Sequence, residues 1–405
     1  MRELFARLND SDHLRLLKLK EADGFKDRTW EEWLHFKGIG VPLNDTVDEA
    51  INRTTGTMLP LWLMNFSRNL TFHLAAHEKG LLEQLKSLPL ENMHDARELV
   101  PKDMVDVPLE NTLPKTSCII IGRGPSVWKH KHLETLAKSN YKGIIYSCDG
   151  MLVDCLRAGV TPDKFPNFLV QSVDGNRRLI VKWYGDENFD ENNPDATEDE
   201  KRVNAENVEL VNKYGPKLKV VLSSTVANNV LTRCLRAKAH VYLIHPLFDA
   251  IGMESLTRVM MYTTQTTDTP PLLTSQSLGN AGGTAYVLSW NVLRASPICL
   301  VGLDFGYELD TPIEQTAYAS RMLKELGDLE GASRSMMEVL NPYDGRTYKT
   351  DHVFAHYKKA FIETLEETPP PKWLRIINAT QGGTLFGHER IEWMTFAQAL
   401  EELAK

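Results

Sequence analysis

Between Cys118 and Asn176 the chain alternates short apolar runs with helical patterns, and every run stops at a small or acidic residue. The run 118–121 ends in Gly122-Arg123-Gly124-Pro125-Ser126. The run 143–146 stops at Ser147-Cys148-Asp149, and the run 168–173 stops at Asp174. Between them lie a helical pattern with Val127, Leu133 and Leu136 on its inner face and another with Leu152, Leu156 and a closing Gly159. Runs this short and this uniformly apolar suit strands buried on both faces. Strands alternating with helices predict a parallel sheet with crossover helices. In open sheets of that kind ligands bind beyond the carboxyl ends of the strands. The glycine turn, Asp149 and Asp174 all fall at such ends.

The alternation continues through a strand at 219–223, a helix at 227–236 and a strand at 241–244. A second glycine turn, Gly279-Asn280-Ala281-Gly282-Gly283-Thr284, opens a helix at 285–293. The strand 298–303 then ends at Asp304, a third carboxylate at a strand end. Helices are expected near 314–326 and 353–365, a strand at 375–378 and a last helix at 395–403. The expected class is α/β: a Rossmann-like, mostly parallel sheet with crossover helices, preceded by an all-helical N-terminal domain. The domain boundaries read as 1–112 helical, 113–310 nucleotide-binding, and 311–405 a helical extension with a strand returning near 375–387.

Residues 1–112 show helical periodicity and no convincing strand. Leu14 and Leu17 mark one helix and Trp30 and Trp33 flank another, while Trp62, Phe66, Leu70, Leu74 and Leu81 form a stripe that reads as packing. The stretch 185–201 is acidic, rich in Asn and nearly free of large apolar residues, so it reads as an exposed loop inserted in the central domain.

Composition narrows the function classes. A net charge of −8 gives no basic excess for nucleic acid or an anionic membrane surface. The most apolar early segment, 58–64, is too short to span a bilayer and contains Pro60. No membrane insertion is expected. The opening residues lack the apolar core of a secretory signal. The cysteines 118, 148, 155, 234 and 299 are scattered and odd in number, which suits reduced core residues of a cytoplasmic protein.

Three constellations could carry chemistry. In the first turn Gly122 and Gly124 permit a tight bend, Arg123 offers a cation, Pro125 opens the helix, and Ser126 can cap it or bond a phosphate. The pattern lacks the third glycine of a dinucleotide fingerprint and the lysine of a P-loop. Asp149, Asp163 and Asp174 are carboxylates at strand ends or in turns, and beside a phosphate site Asp149 and Asp174 would suit Mg²⁺. As a helix cap and a turn residue, Asp149 and Asp163 also have structural readings. The second turn, through Gly279, Asn280, Gly282, Gly283 and Thr284, could hold the other end of a nucleotide or the acceptor. The histidines offer less: His352 and His356 share a helical face without a third ligand, and His130 and His132 read as a solvated helix end beside Lys129 and Lys131.

The runs IIIGRGPS, CDGMLVDCLRAGVTPD, VQSVDGN, GGTAYVLSWNVLRASPICLVGLDFGY and NATQGGTLFG stand in this order and together resemble the 6-hydroxymethylpterin diphosphokinase MptE-like domain. The similarity covers residues 116–387. That domain is shared with motility accessory factors, which transfer nonulosonic acid sugars to flagellin. The pterin branch implies Mg²⁺-dependent transfer of diphosphate from ATP to a hydroxymethyl-dihydropterin, with release of AMP. Asp149, Asp163 and Asp174 match its acidic motifs, Ser172 stands where that pattern carries a further acid, and Asn176 and Asp304 join the candidate site. The sugar-transferring branch implies a CMP-activated sugar held by Gly124, Pro125 and Ser126, and a protein acceptor. A non-catalytic nucleotide-binding protein is a third reading.

Overall fold

The computed structural model describes residues 47–77, 87–176, 181–247, 256–266, 270–319 and 328–404. The expectations at Leu14, Leu17, Trp30, Trp33 and Leu81 lie outside the described residues. In chain order the strands are β1 (Met93–Asp95), β2 (Cys118–Ile121), β3 (Ile144–Cys148), β4 (Phe168–Ser172), β5 (Lys219–Ser223), β6 (His240–Pro246) and β7 (Thr274–Ser275). They continue with β8 (Ile298–Val301), β9 (Tyr307–Glu308), β10 (Met337–Leu340), β11 (Thr347–Thr350), β12 (Ile376–Asn378) and β13 (Ile391–Trp393). The class is α/β with mostly parallel pairing, as the alternation predicted.

The chain folds as two compact units, residues 1–99 with 170–277 and residues 100–169 with 278–405. In the first unit the strands run in the order β1-β6-β5-β4. Strand β6 pairs in parallel with β1, β5 and β7. The helix Val47–His77 buries Leu63, Phe66, Leu70 and Leu74, one residue per turn along one stripe. Strand β1 overturns the reading of 1–112 as strand-free. Its residues Met93, His94 and Asp95 pair with Val241, Tyr242 and Leu243, and a sequence of one apolar and two polar residues leaves no pattern to read.

The acidic run is also more structured than a loop. A helix, Glu198–Tyr214, starts inside it, with Thr197 and Glu200 forming a reciprocal capping box. Acidic residues in a first turn complement the helix dipole, so the charge that suggested a loop stabilises the helix start.

In the second unit the order is β3-β2-β8-β12-β13, every pair parallel. Cys118 sits level with Ile144 on one side and Ile298 on the other. The chain builds outward from β2 to β3 on one side and from β8 through β12 to β13 on the other. Strand order therefore reverses between β2 and β8. The residues of β2 and β8 are at most 1% exposed, which explains their unbroken apolar sequence. A separate antiparallel sheet, β10-β11-β9, was not anticipated. The five cysteines are unpaired and buried. Among the described residues no helix is long and apolar enough to cross a membrane.

Candidate functional site

The carboxyl ends of β2 and β8 meet through their glycines. Gly122 N donates to Val301 O and Gly124 N to Gly302 O, both at 2.8 Å. Gly302 has φ +68°, and a side chain on it would press 2.4 Å from Gly122 O, so only glycine fits both the conformation and the space. A Cβ on Gly124 would stand 1.7 Å from Asp304 Oδ2. These glycines let two strand ends and a buried carboxylate share one small volume.

That carboxylate defines the turn. Asp304 is 4% exposed. Its Oδ1 accepts from Ser126 N at 3.1 Å and its Oδ2 from Ser126 Oγ at 2.7 Å. Burial pushes its pKa up from 3.8 to about 7, with the two Ser126 bonds opposing the rise and Glu308 adding to it. The Ser126 amide, which the sequence offered to a phosphate, is therefore held by the protein's own acid. Asp304 in turn is anchored from the loop that follows β12: Thr384 N donates to Asp304 O at 2.7 Å, and Thr384 Oγ1 to Phe305 O at 2.8 Å. Pro125 precedes the short helix Ser126–Lys129, and Arg123 lies exposed with Nε donating to Gly150 O at 3.1 Å.

The second glycine turn opens the helix Ala281–Asn291. Asn280 caps it, its Oδ1 accepting from Gly283 N at 2.8 Å, while Thr284 Oγ1 donates to Asn280 O. Ala281 and Gly282 contribute the first-turn N–H groups, which have no acceptor within a helix. Gly282 packs close to Leu303 and Cys148, so this turn belongs to the same unit and the same strand ends as the first.

Asp149 stands at the end of β3, 9% exposed, and accepts from Gly150 N at 2.7 Å. Asp163 lies exposed in its turn. Asp174, Ser172 and Asn176 belong to the first unit. There Asp174 Oδ1 accepts from Asn176 N at 2.7 Å, burial raises its pKa, and Ser172 is fully buried at the end of β4. Trp62 covers the intervening Gly175, and Asn65 Nδ2 donates to Gly175 O and Thr225 O. The two carboxylates nominated for Mg²⁺ thus fall in different units. Each has an oxygen held by its own loop, and among the described residues no three of His, Cys, Asp and Glu group to hold a metal.

His130 and His132 are not a solvated helix end. Lys131 takes φ +52° and breaks the expected helix in two, which turns the imidazoles inward to stack at 5.6 Å. His132 is 2% exposed against Phe396, its Nε2 is 3.3 Å from Gln381 Oε1, and burial lowers its pKa to about 4. Sequence reasoning also missed Lys358. It lies half-buried on the inner stripe of the helix His352–Glu367 and has no ion-pair or hydrogen-bond partner among the described residues. A lysine interrupting the spacing of Phe354, Phe361 and Leu365 is a signal the sequence contained.

Compared with protein-family models, curated proteins and solved structures, the chain matches none.

Proposed function

We propose that this protein is a nucleotide-dependent transferase whose donor phosphates lie at the carboxyl ends of β2 and β8. The observation that carries the reading is the reversal of strand order there, with the glycine turn after β2 and the one that opens the helix leading into β8 at one end of one unit. In open parallel sheets this reversal opens the crevice that ligands occupy. Because Asp304 holds Ser126, the first turn acts as a rigid wall, and the donor phosphates fall to the second turn, at Ala281 and Gly282. The order of the five motifs that resemble the MptE-like family supports the same reading.

The leading acceptor is a hydroxymethyl-dihydropterin-type alcohol, with ATP as donor of diphosphate. The enzyme's part is to hold donor and acceptor in line and to neutralise the leaving phosphate. No step is assigned to a metal. The second reading is transfer from a CMP-activated sugar. Ser172, buried where the diphosphokinase pattern carries an acid, favours it. Purified protein incubated with ATP and 6-hydroxymethyl-dihydropterin, or with a CMP-sialic-acid-type donor, separates the two by chromatography. AMP that depends on the pterin supports the first; CMP released only from the sugar donor supports the second. Neither product, from folded protein, overturns the transferase reading.

A further inference from the structure

The helix His352–Glu367 turns one stripe inward, Phe354, Lys358, Phe361 and Leu365, spaced four, three and four residues apart, with Phe361 and Leu365 buried and Phe354 and Lys358 half-buried. Phe361 is fully buried and Leu365 2% exposed; Phe354 packs at 5.3 Å from Tyr307 and 5.5 Å from Tyr318. Lys358 alone in that stripe is charged. Its Nζ lies 4.1 Å over the ring of Phe386. A surface lysine covering apolar area extends its ammonium to water, whereas this nitrogen is held against an aromatic ring and burial lowers its pKa. Among the described residues no carboxylate pairs with it. Half-buried cations without a partner are costly and are found paired, hydrogen-bonded or functional.

The helix faces the second glycine turn. Phe361 packs against Tyr286 of the helix Ala281–Asn291, with ring centroids 4.5 Å apart and the planes tilted by 40°. Tyr357, beside Lys358, covers Gly279, where a Cβ would meet its ring at 2.7 Å. The same helix pair also buries polar atoms without a hydrogen-bond partner among the described residues: the Tyr286 hydroxyl, Trp290 Nε1 and His352 Nδ1.

We propose that Lys358 is the anion-binding residue of the second unit and takes a phosphate-class oxyanion. A lysine serves as a compact point charge for such a group, and Phe386 beneath it holds the ammonium by a cation–π contact until the anion arrives. The inference deepens the transferase reading and rests on it for one point, that the oxyanion is the donor's phosphate rather than a free one.

The test measures binding of pyrophosphate, ATP and CMP by calorimetry to the full chain, to Lys358→Met and to Lys358→Arg, together with the melting temperature of each. The wild type should bind pyrophosphate with an affinity that falls as salt rises. Lys358→Met should lose at least tenfold in affinity while melting no lower than wild type, because an apolar residue suits that stripe. Lys358→Arg should stay within about threefold, the charge being kept. ATP or CMP affinity that drops together with pyrophosphate affinity assigns the oxyanion to the donor. Lysine-dependent pyrophosphate binding without nucleotide binding keeps the subsite and removes the nucleotide reading. Nucleotide binding unchanged in Lys358→Met, pyrophosphate binding indifferent to the substitution, or no anion binding by the wild type overturns the proposal.

Discussion

Asp304 is the most exacting point at which to perturb this fold. A carboxyl raised from 3.8 to about 7 binds protons more tightly folded than unfolded. Between those values the folded protein carries the extra proton, so stability falls as pH rises through the interval and levels off above it. Each tenfold difference in proton affinity is worth about 1.4 kcal/mol. Integrated from pH 5 to pH 8, ionising Asp304 removes about 2–3 kcal/mol of stability. Asparagine reproduces the protonated acid. Its Oδ1 accepts from Ser126 N as now, and its Nδ2 donates to Ser126 Oγ. The Asp304→Asn variant should therefore match wild type only below about pH 4, and its advantage should grow by about 2–3 kcal/mol between pH 5 and pH 8. Urea unfolding followed by tryptophan fluorescence reads the difference, and subtracting the two curves cancels the titration of every other group. Parallel curves from pH 5 to pH 8 would refute a buried, proton-sharing Asp304. An asparagine variant far less stable at both ends would show that Ser126 needs the full negative charge.

Further outcomes follow from neighbouring features. Gly124→Ala places a methyl on Asp304 Oδ2 and should cost about 1–3 kcal/mol, read as a lowered urea midpoint; no loss would mean that Asp304 does not pack against Gly124. Asn280→Ala removes the cap on Gly283 N and should cost about 1 kcal/mol, with nucleotide affinity falling as the turn loosens; unchanged affinity would separate the cap from the site. His245 is fully buried, its ring nitrogens facing Ser224 Oγ at 2.7 Å and Thr264 Oγ1 at 3.1 Å, and its pKa is lowered to about 3. A base whose folded pKa is depressed contributes stability that is present above the unfolded value and lost on acidification. From pH 6.5 to 5 it should remove about 2 kcal/mol, a loss that His245→Gln abolishes and that denaturant titrations at the two pH values would detect.

The parts of this fold that the sequence made legible are those whose burial is symmetric. Strands β2, β3, β4, β5 and β8 are enclosed on both faces and carry apolar runs that no other element explains. Strands β1 and β13 are edges of three residues each, and MHD or IEW has no periodicity to find. The hairpin of β10 and β11 did have a signal: Asp344-Gly345 between two extended runs, with Gly345 at φ +70°. The glycine turns and Asp304 were each visible as candidates. Their joint geometry was not, because the pairing of Gly122 with Gly302 and of Ser126 with Asp304 spans some 180 residues of intervening chain. The same distance hid the inward turn of His132, which depends on a left-handed Lys131 and a glutamine far along the chain.

Backbone hydrogen exchange with and without saturating ATP or CMP is the most direct test of a nucleotide site at the carboxyl ends of β2 and β8. Slowed exchange at Ala281, Gly282 and the adjoining 278–284 turn, with the already bonded amides of Gly122, Gly124 and Ser126 little changed, is the result expected. Protection confined to 172–176 in the first unit, or no protection by either nucleotide, would contradict it.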